Sequence, residues 1–174
     1  VLAAAVVFGL TALGPALVRD ARPAGQCARC RGVGGQGEAQ AARTWLDKRG
    51  MKFVTGKDDA SELTNAQILE QMKMYIAATR MADFFGCDAI GIQYQQGLKD
   101  MTPASDLAEA LFNNPERPPV YHASSGEELF AGKALPHFNE VDEGAAVDAL
   151  VNNRVWTALG LDPSTTLHDI RWGR

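Results

Sequence analysis

Cysteine is scarce and odd in number, three among 174 residues. No disulfide framework can be drawn from Cys27, Cys30 and Cys87, so a reducing cytoplasm is the expected compartment. Cys27 and Cys30 form a C-x-x-C pair, but a structural zinc site wants four ligands and no second pair exists. Basic charge is not in excess either. The net charge is −4, which argues against the basic footprint of a nucleic-acid binder. A long unbroken apolar run is also lacking. Residues 1–18 are mostly apolar, but Gly9, Gly14 and Pro15 interrupt them. Arg19, Asp20, Ala21 and Arg22 follow, which is not a small-residue cleavage pattern. A buried segment is as good a reading as a signal-peptide core or a marginal span, and no membrane partner is expected. The glycine-rich Gly32-Val-Gly34-Gly35-Gln-Gly37 resembles a phosphate-cradling loop without the preceding strand that a dinucleotide site needs. A flexible loop is the simpler reading.

What is present is a globular composition, 46% apolar, enough for one domain with an ordinary core. Residues 1–37 differ from the rest. They hold Arg19, Arg22, Arg29 and Arg31, no lysine and the single acid Asp20. This Ala/Arg/Gly-rich block reads as foreign to the domain, which we take to span 38–174.

Local patterns assign the elements of that domain. Glu38–Lys48 is a helix with Ala41, Ala42, Trp45 and Leu46 on its apolar face, and Arg49-Gly50 stops it. Met51–Val54 is a short strand candidate. Thr64-Asn-Ala-Gln67 is a capping box. It opens a helix in which Ile68, Leu69, Met72, Tyr75, Ile76, Thr79, Ala82 and Phe85 recur at helical spacing, and Gly86 closes it. Met72, Met74 and Met81 are core filler. The apolar run from Cys87 to Tyr94 reads as a buried parallel strand, with Cys87 as packing rather than a nucleophile. A short helix starts at Ser105, with Leu107, Ala110 and Leu111 facing inward. Arg117-Pro-Pro reads as an extended linker. A hairpin follows, turning at Ser124-Ser125-Gly126. The expected class is α/β, a mostly parallel sheet flanked by helices with one small β-hairpin.

The segment His137–Arg174 carries the chemistry. Glu140, Asp142 and Glu143 open a helix with Ala145, Ala146, Ala149, Leu150, Val155, Trp156 and Leu159 on one face. Gly160 and Pro163 end it, and Thr165–Trp172 reads as a strand that carries Asp169. Glu140 and Asp169 are 29 residues apart, one αβ unit. In a parallel sheet, groups just past strand C-termini converge on one crevice. Two carboxylates there are hard donors suited to Mn²⁺ or Mg²⁺. The same acids also serve as ordinary helix caps, and Asp169 with Arg171 as a surface pair. His137, three residues before Glu140, is expected to support the site or lie exposed. At the end of the Cys87–Tyr94 strand stand Gln93 and, just past it, Gln95, amides that can both donate to and accept from sugar hydroxyls.

Glu140-Val-Asp142 ahead of a Gly-Ala helix, with Asp169-Ile-Arg171 after it, resembles the middle domain of the L-fucose isomerase family over about residues 50–174. These enzymes interconvert an aldose and a ketose with Mn²⁺, held by a Glu in a Glu-x-Asp context, an Asp in an Asp-Val-Arg context and a distant His. The resemblance implies Glu140 as base and ligand and Asp169 as ligand and partner acid, with Arg171 orienting Asp169. It favours Gln93 or Gln95 as a sugar contact, and an unphosphorylated sugar such as L-fucose or L-arabinose converted through a cis-enediol. It further implies a homo-oligomer when full length. The His ligand of the family lies in a C-terminal domain, so the sequence is expected to be a fragment that is inactive by itself. The rival from another class is a noncatalytic sugar-binding α/β module, which would keep the amides and need no metal.

Overall fold

The computed structural model describes residues 5–8, 35–92, 102–139 and 143–164. The fold is mixed and rich in helix. In chain order the elements are β1 (Ala5–Phe8), α1 (Gln36–Lys48), α2 (Asn65–Phe85), β2 (Ala89–Ile92), α3 (Asp106–Phe112), β3 (His137–Asn139) and α4 (Glu143–Ala158). The three strands form one small sheet in the order β1-β2-β3. The β1–β2 pair is antiparallel. The β2–β3 pair is parallel, with Ile90 opposite His137, Gly91 opposite Phe138 and Ile92 opposite Asn139. The described sheet is therefore mixed.

The longest helix, α2, is fixed at both ends by its own sequence. Gln67 N–H donates to Thr64 Oγ1 at 3.3 Å, and Thr64 N–H donates to Gln67 Oε1 at 2.9 Å. This capping box satisfies two otherwise orphaned donors. Gly86 takes φ 67°, ψ 45°, a left-handed conformation that lets Cys87 N–H close on Ala82 C=O at 2.8 Å. Between these caps Ile68, Met72, Tyr75, Ile76, Ala78 and Ala82 are buried. All of these but Ile68 pack with Ala39, Ala42 and Leu46 of α1, Ile90 and Ile92 of β2 and Phe112 of α3 in a single core cluster. Met74 and Met81 pack at its edge. All four residues of β2 are buried, as a strand covered on both faces should be.

The hairpin forms as one bridge between Tyr121 and Glu128, turning through Gly126 at φ 71°. Two nearby segments depart from expectation. Met51–Val54 is not a strand. Phe53 instead lies beneath the Arg43 guanidinium, 3.8 Å from ring centroid to Cζ, and Val54 is 92% exposed. Arg117-Pro118 is not a linker on the surface but a buried strut. Tyr75 Oη donates to Pro118 C=O at 2.6 Å. Arg117 donates to Tyr75 Oη at 3.0 Å and to the carbonyls of Phe130 and Lys133, both at 3.1 Å.

Helix α4 buries only part of the expected stripe. Ala149, Leu150 and Asn153 face inward, whereas Val155, Trp156 and Leu159 are exposed, together with Val147 and Val151. The helix is apolar nearly all round, so sequence periodicity alone does not say which stripe faces the core. In α3 the inward residues are Ala108, Glu109, Leu111 and Phe112; Ala110 is exposed. Among the described residues no helix is long and apolar enough to cross a membrane.

Candidate functional site

The C-terminal edge of the β2–β3 pair is where the expected chemistry would gather. Ile92 and Asn139, the last residues of the two strands, are register partners. Gln93 and Glu140 are the next residues in sequence. The positions expected to act (Glu140, Asp169, Gln93, Gln95 and Arg171) all lie outside the described residues. So do the C-terminal strand at Thr165–Trp172 and His168. Among the described residues no three His, Cys, Asp or Glu side chains cluster as an ion site would require.

What the structure does describe is the backing of that edge. His137 opens β3 and is buried, 1% exposed. Its Nε2 accepts from Ile92 N–H at 3.1 Å. An imidazole nitrogen that accepts carries no proton, so the neutral ring bears its hydrogen on Nδ1. Nδ1 stands 3.9 Å from Glu109 Oε2. The ring stacks on Phe112, with centroids 5.6 Å apart and planes 18° from parallel. Burial pushes the pKa of His137 down to about 3, so the ring is neutral at ordinary pH.

The residues that hold His137 come from α3 and its C-terminus. Asn113 grips the main chain on both sides, with Oδ1 accepting from His137 N–H at 2.8 Å and Nδ2 donating to His137 C=O at 3.3 Å. Ser105 Oγ donates to Glu109 Oε1. One helix turn separates Ser105, Glu109 and Asn113 in succession, which puts them on one face. That stripe was the available sequence signal: polar side chains at 105, 109 and 113 in a helix whose other inward positions are apolar. Further back, Gln71 of α2 accepts from Leu107 N–H at 2.9 Å. Asp88, just before β2, accepts from Arg154 of α4 at 2.8 Å, which ties the helix after β3 to the strand beside it.

Cys87 and His122 have simple structural roles. Cys87 is buried, and burial pushes its thiol up to about 11 with a smaller contribution from Asp88. That disfavours the thiolate a nucleophile needs. His122 accepts from Ser125 N–H at 3.2 Å in the hairpin turn, and so serves the turn itself. His137, expected as a support or an exposed side chain, is fully buried, because the Asn113 grip and the Ile92 amide provide partners that water would otherwise supply.

No known protein family, curated protein or solved structure matches the chain.

Proposed function

We propose that the chain is the α/β portion of a Mn²⁺-dependent aldose–ketose isomerase acting on an unphosphorylated sugar, a cytoplasmic enzyme that is homo-oligomeric at full length. The observation that favours this is the parallel β2–β3 pair, whose last residues, Ile92 and Asn139, stand opposite each other. Strand ends side by side are where open α/β sheets collect their ligands. An amide, Gln93, and a carboxylate, Glu140, come next in the two sequences. The reading calls for a largely parallel sheet, of which β2–β3 is the described parallel pair.

The donor set suits the ion, since Glu140 and Asp169 offer hard oxygen ligands to Mn²⁺, with Mg²⁺ as second choice. When bound, the metal supplies the Lewis acidity that acidifies the hydroxyl and C–H next to the sugar carbonyl. Glu140 takes the proton from C2 of the open-chain aldose and returns it to C1 by way of a cis-enediol, while the hydroxyl proton moves from O2 to O1. Asp169 acts as partner acid and Arg171 orients it by a charge-assisted bond. Gln93 or Gln95 holds sugar hydroxyls. Base catalysis of this kind contributes roughly 10²–10⁴-fold.

The test is a Mn²⁺ titration of the intact protein, followed by electron paramagnetic resonance of the free ion. Binding that disappears in Glu140→Gln is expected. Unchanged affinity in that variant removes Glu140 from the metal site. A chain that binds L-fucose or L-arabinose without binding Mn²⁺ is a sugar-binding module and not an isomerase.

A further inference from the structure

Resting on that reading, we propose that His137 is the positioning residue of the site. It ties the start of β3 to the C-terminal end of β2 by accepting the Ile92 amide, and it touches neither substrate nor metal.

The geometry is specific to one atom. Ile92 is the last residue of β2, and its N–H points at His137 Nε2, 3.1 Å away. His137 is the first residue of the neighbouring strand, yet its ring reaches the amide at the far end of β2 and stacks on Phe112. The main chain of His137 cannot drift, since Asn113 holds both its N–H and its C=O. Three elements thus meet at one buried side chain: β2 through Ile92, β3 through His137 itself, and the C-terminal end of α3 through Phe112 and Asn113. A loose supporting shell is the usual way a site loses its geometry, and a main-chain bond in a dry surrounding is a stiff support.

Neutrality is part of the device. A protonated ring would turn Nε2 into a donor facing the Ile92 donor. Among the described residues, Glu109 of α3 is a titratable group facing the ring, at 3.9 Å from Nδ1, the nitrogen that does not meet Ile92. Ser105 donates to the same carboxylate. The polar contacts from β2 and from the C-terminus of α3 are the neutral Ile92 amide and the Asn113 carboxamide.

Two substitutions separate a latch from mere filler. His137→Phe keeps an aromatic ring for Phe112 and removes the acceptor. His137→Gln keeps a neutral acceptor at about the reach of Nε2. Amide hydrogen exchange at Ile92, followed by NMR on the full chain, is expected to speed up roughly tenfold in His137→Phe, as loss of one buried hydrogen bond implies. It is expected to return toward wild type in His137→Gln. Equal protection of Ile92 in wild type and His137→Phe overturns the proposal. Should His137→Phe fail to fold, the ¹⁵N shifts of the wild-type imidazole decide: an unprotonated, accepting Nε2 supports the latch, and a protonated Nε2 overturns it. The Mn²⁺ titration is run beside these measurements. Weaker Mn²⁺ binding in His137→Phe, restored in His137→Gln, is the expected signature of positioning. Lost Ile92 protection with unaltered Mn²⁺ affinity overturns the positioning role. Absence of Mn²⁺ binding in wild type overturns the isomerase reading instead, and the exchange result still decides the latch.

Discussion

His137 accepts a main-chain hydrogen bond and is sealed from water, and both facts select its neutral form. In the unfolded chain an ordinary histidine titrates near 6.5, whereas in the fold this one is held at about 3. Between those values the unfolded state binds more protons, so stability rises with pH across that window. The contribution is fully present above 6.5 and is lost as pH falls toward 3. The depressed carboxylates act lower down. Glu38 is lowered chiefly by its bond from Arg80, and Asp58, Glu62 and Asp162 chiefly by hydrogen bonds from nearby groups. Their contributions fade only below the ordinary values of 4.5 for Glu and 3.8 for Asp. Among the described residues, the interval from about 6 down to 5 therefore belongs mainly to His137. Urea midpoints measured across it should fall in wild type and stay flat in His137→Gln; parallel slopes would assign the acid sensitivity to other groups. Arg117 makes a second case at this scale. It is 8% exposed, and its described partners, the Tyr75 hydroxyl and two carbonyls, are all neutral. Arg117→Met should cost about 2–4 kcal/mol in urea unfolding, because the buried Tyr75 hydroxyl and two carbonyls lose their donor. Arg117→Lys should recover little of it, since an ammonium lacks the planar fork.

Helix α2 was legible because its ends are written locally. Thr64 with Gln67 and then Gly86 mark start and stop, and each makes the bond its residue type predicts. Thr64→Ala should destabilise the protein by about 1 kcal/mol, and Gly86→Ala by about 1 kcal/mol through the left-handed backbone. Thermal unfolding of the two variants and their combination checks both, with near-additive losses expected for sites at opposite ends of a 21-residue helix. Helix α4 was legible in extent and not in facing. Its end at Gly160, φ 70°, came from the same kind of local signal. Its buried stripe of Ala149, Leu150 and Asn153 depends on which neighbours α4 meets, and valines on the opposite side hide that choice. The burial of Arg117-Pro-Pro was hidden for a related reason. Nothing near it in sequence announces that Tyr75, 43 residues earlier than Pro118, will claim its carbonyl. Met51–Val54 has the composition of a strand, but among the described residues no strand lies beside it to complete a ladder.

At the scale of the whole molecule, the order helix, strand, helix, strand, helix puts β2 and β3 side by side and parallel; the alternation of patterns led one to expect a mostly parallel sheet, but not a strand at His137–Asn139. The polar stripe behind the strands, Ser105, Glu109 and Asn113, did not come from that reasoning, because it looks for chemistry in front of strand ends and not beneath them. The carboxylate pair itself is a claim about convergence, and convergence has a thermodynamic signature. If Glu140 and Asp169 hold one ion, removing either leaves a site too poor in ligands to keep it. Glu140→Gln and Asp169→Asn should then each abolish most of the Mn²⁺ affinity, and the double variant should lose little more. Such strong non-additivity arises only between groups that share a partner. If the two acids are capping and surface groups, as acids at a helix start commonly are, each substitution should change Mn²⁺ binding slightly and the two changes should add. The cycle thus measures whether two residues 29 apart in sequence act on one ion, independently of whether the sugar is ever turned over.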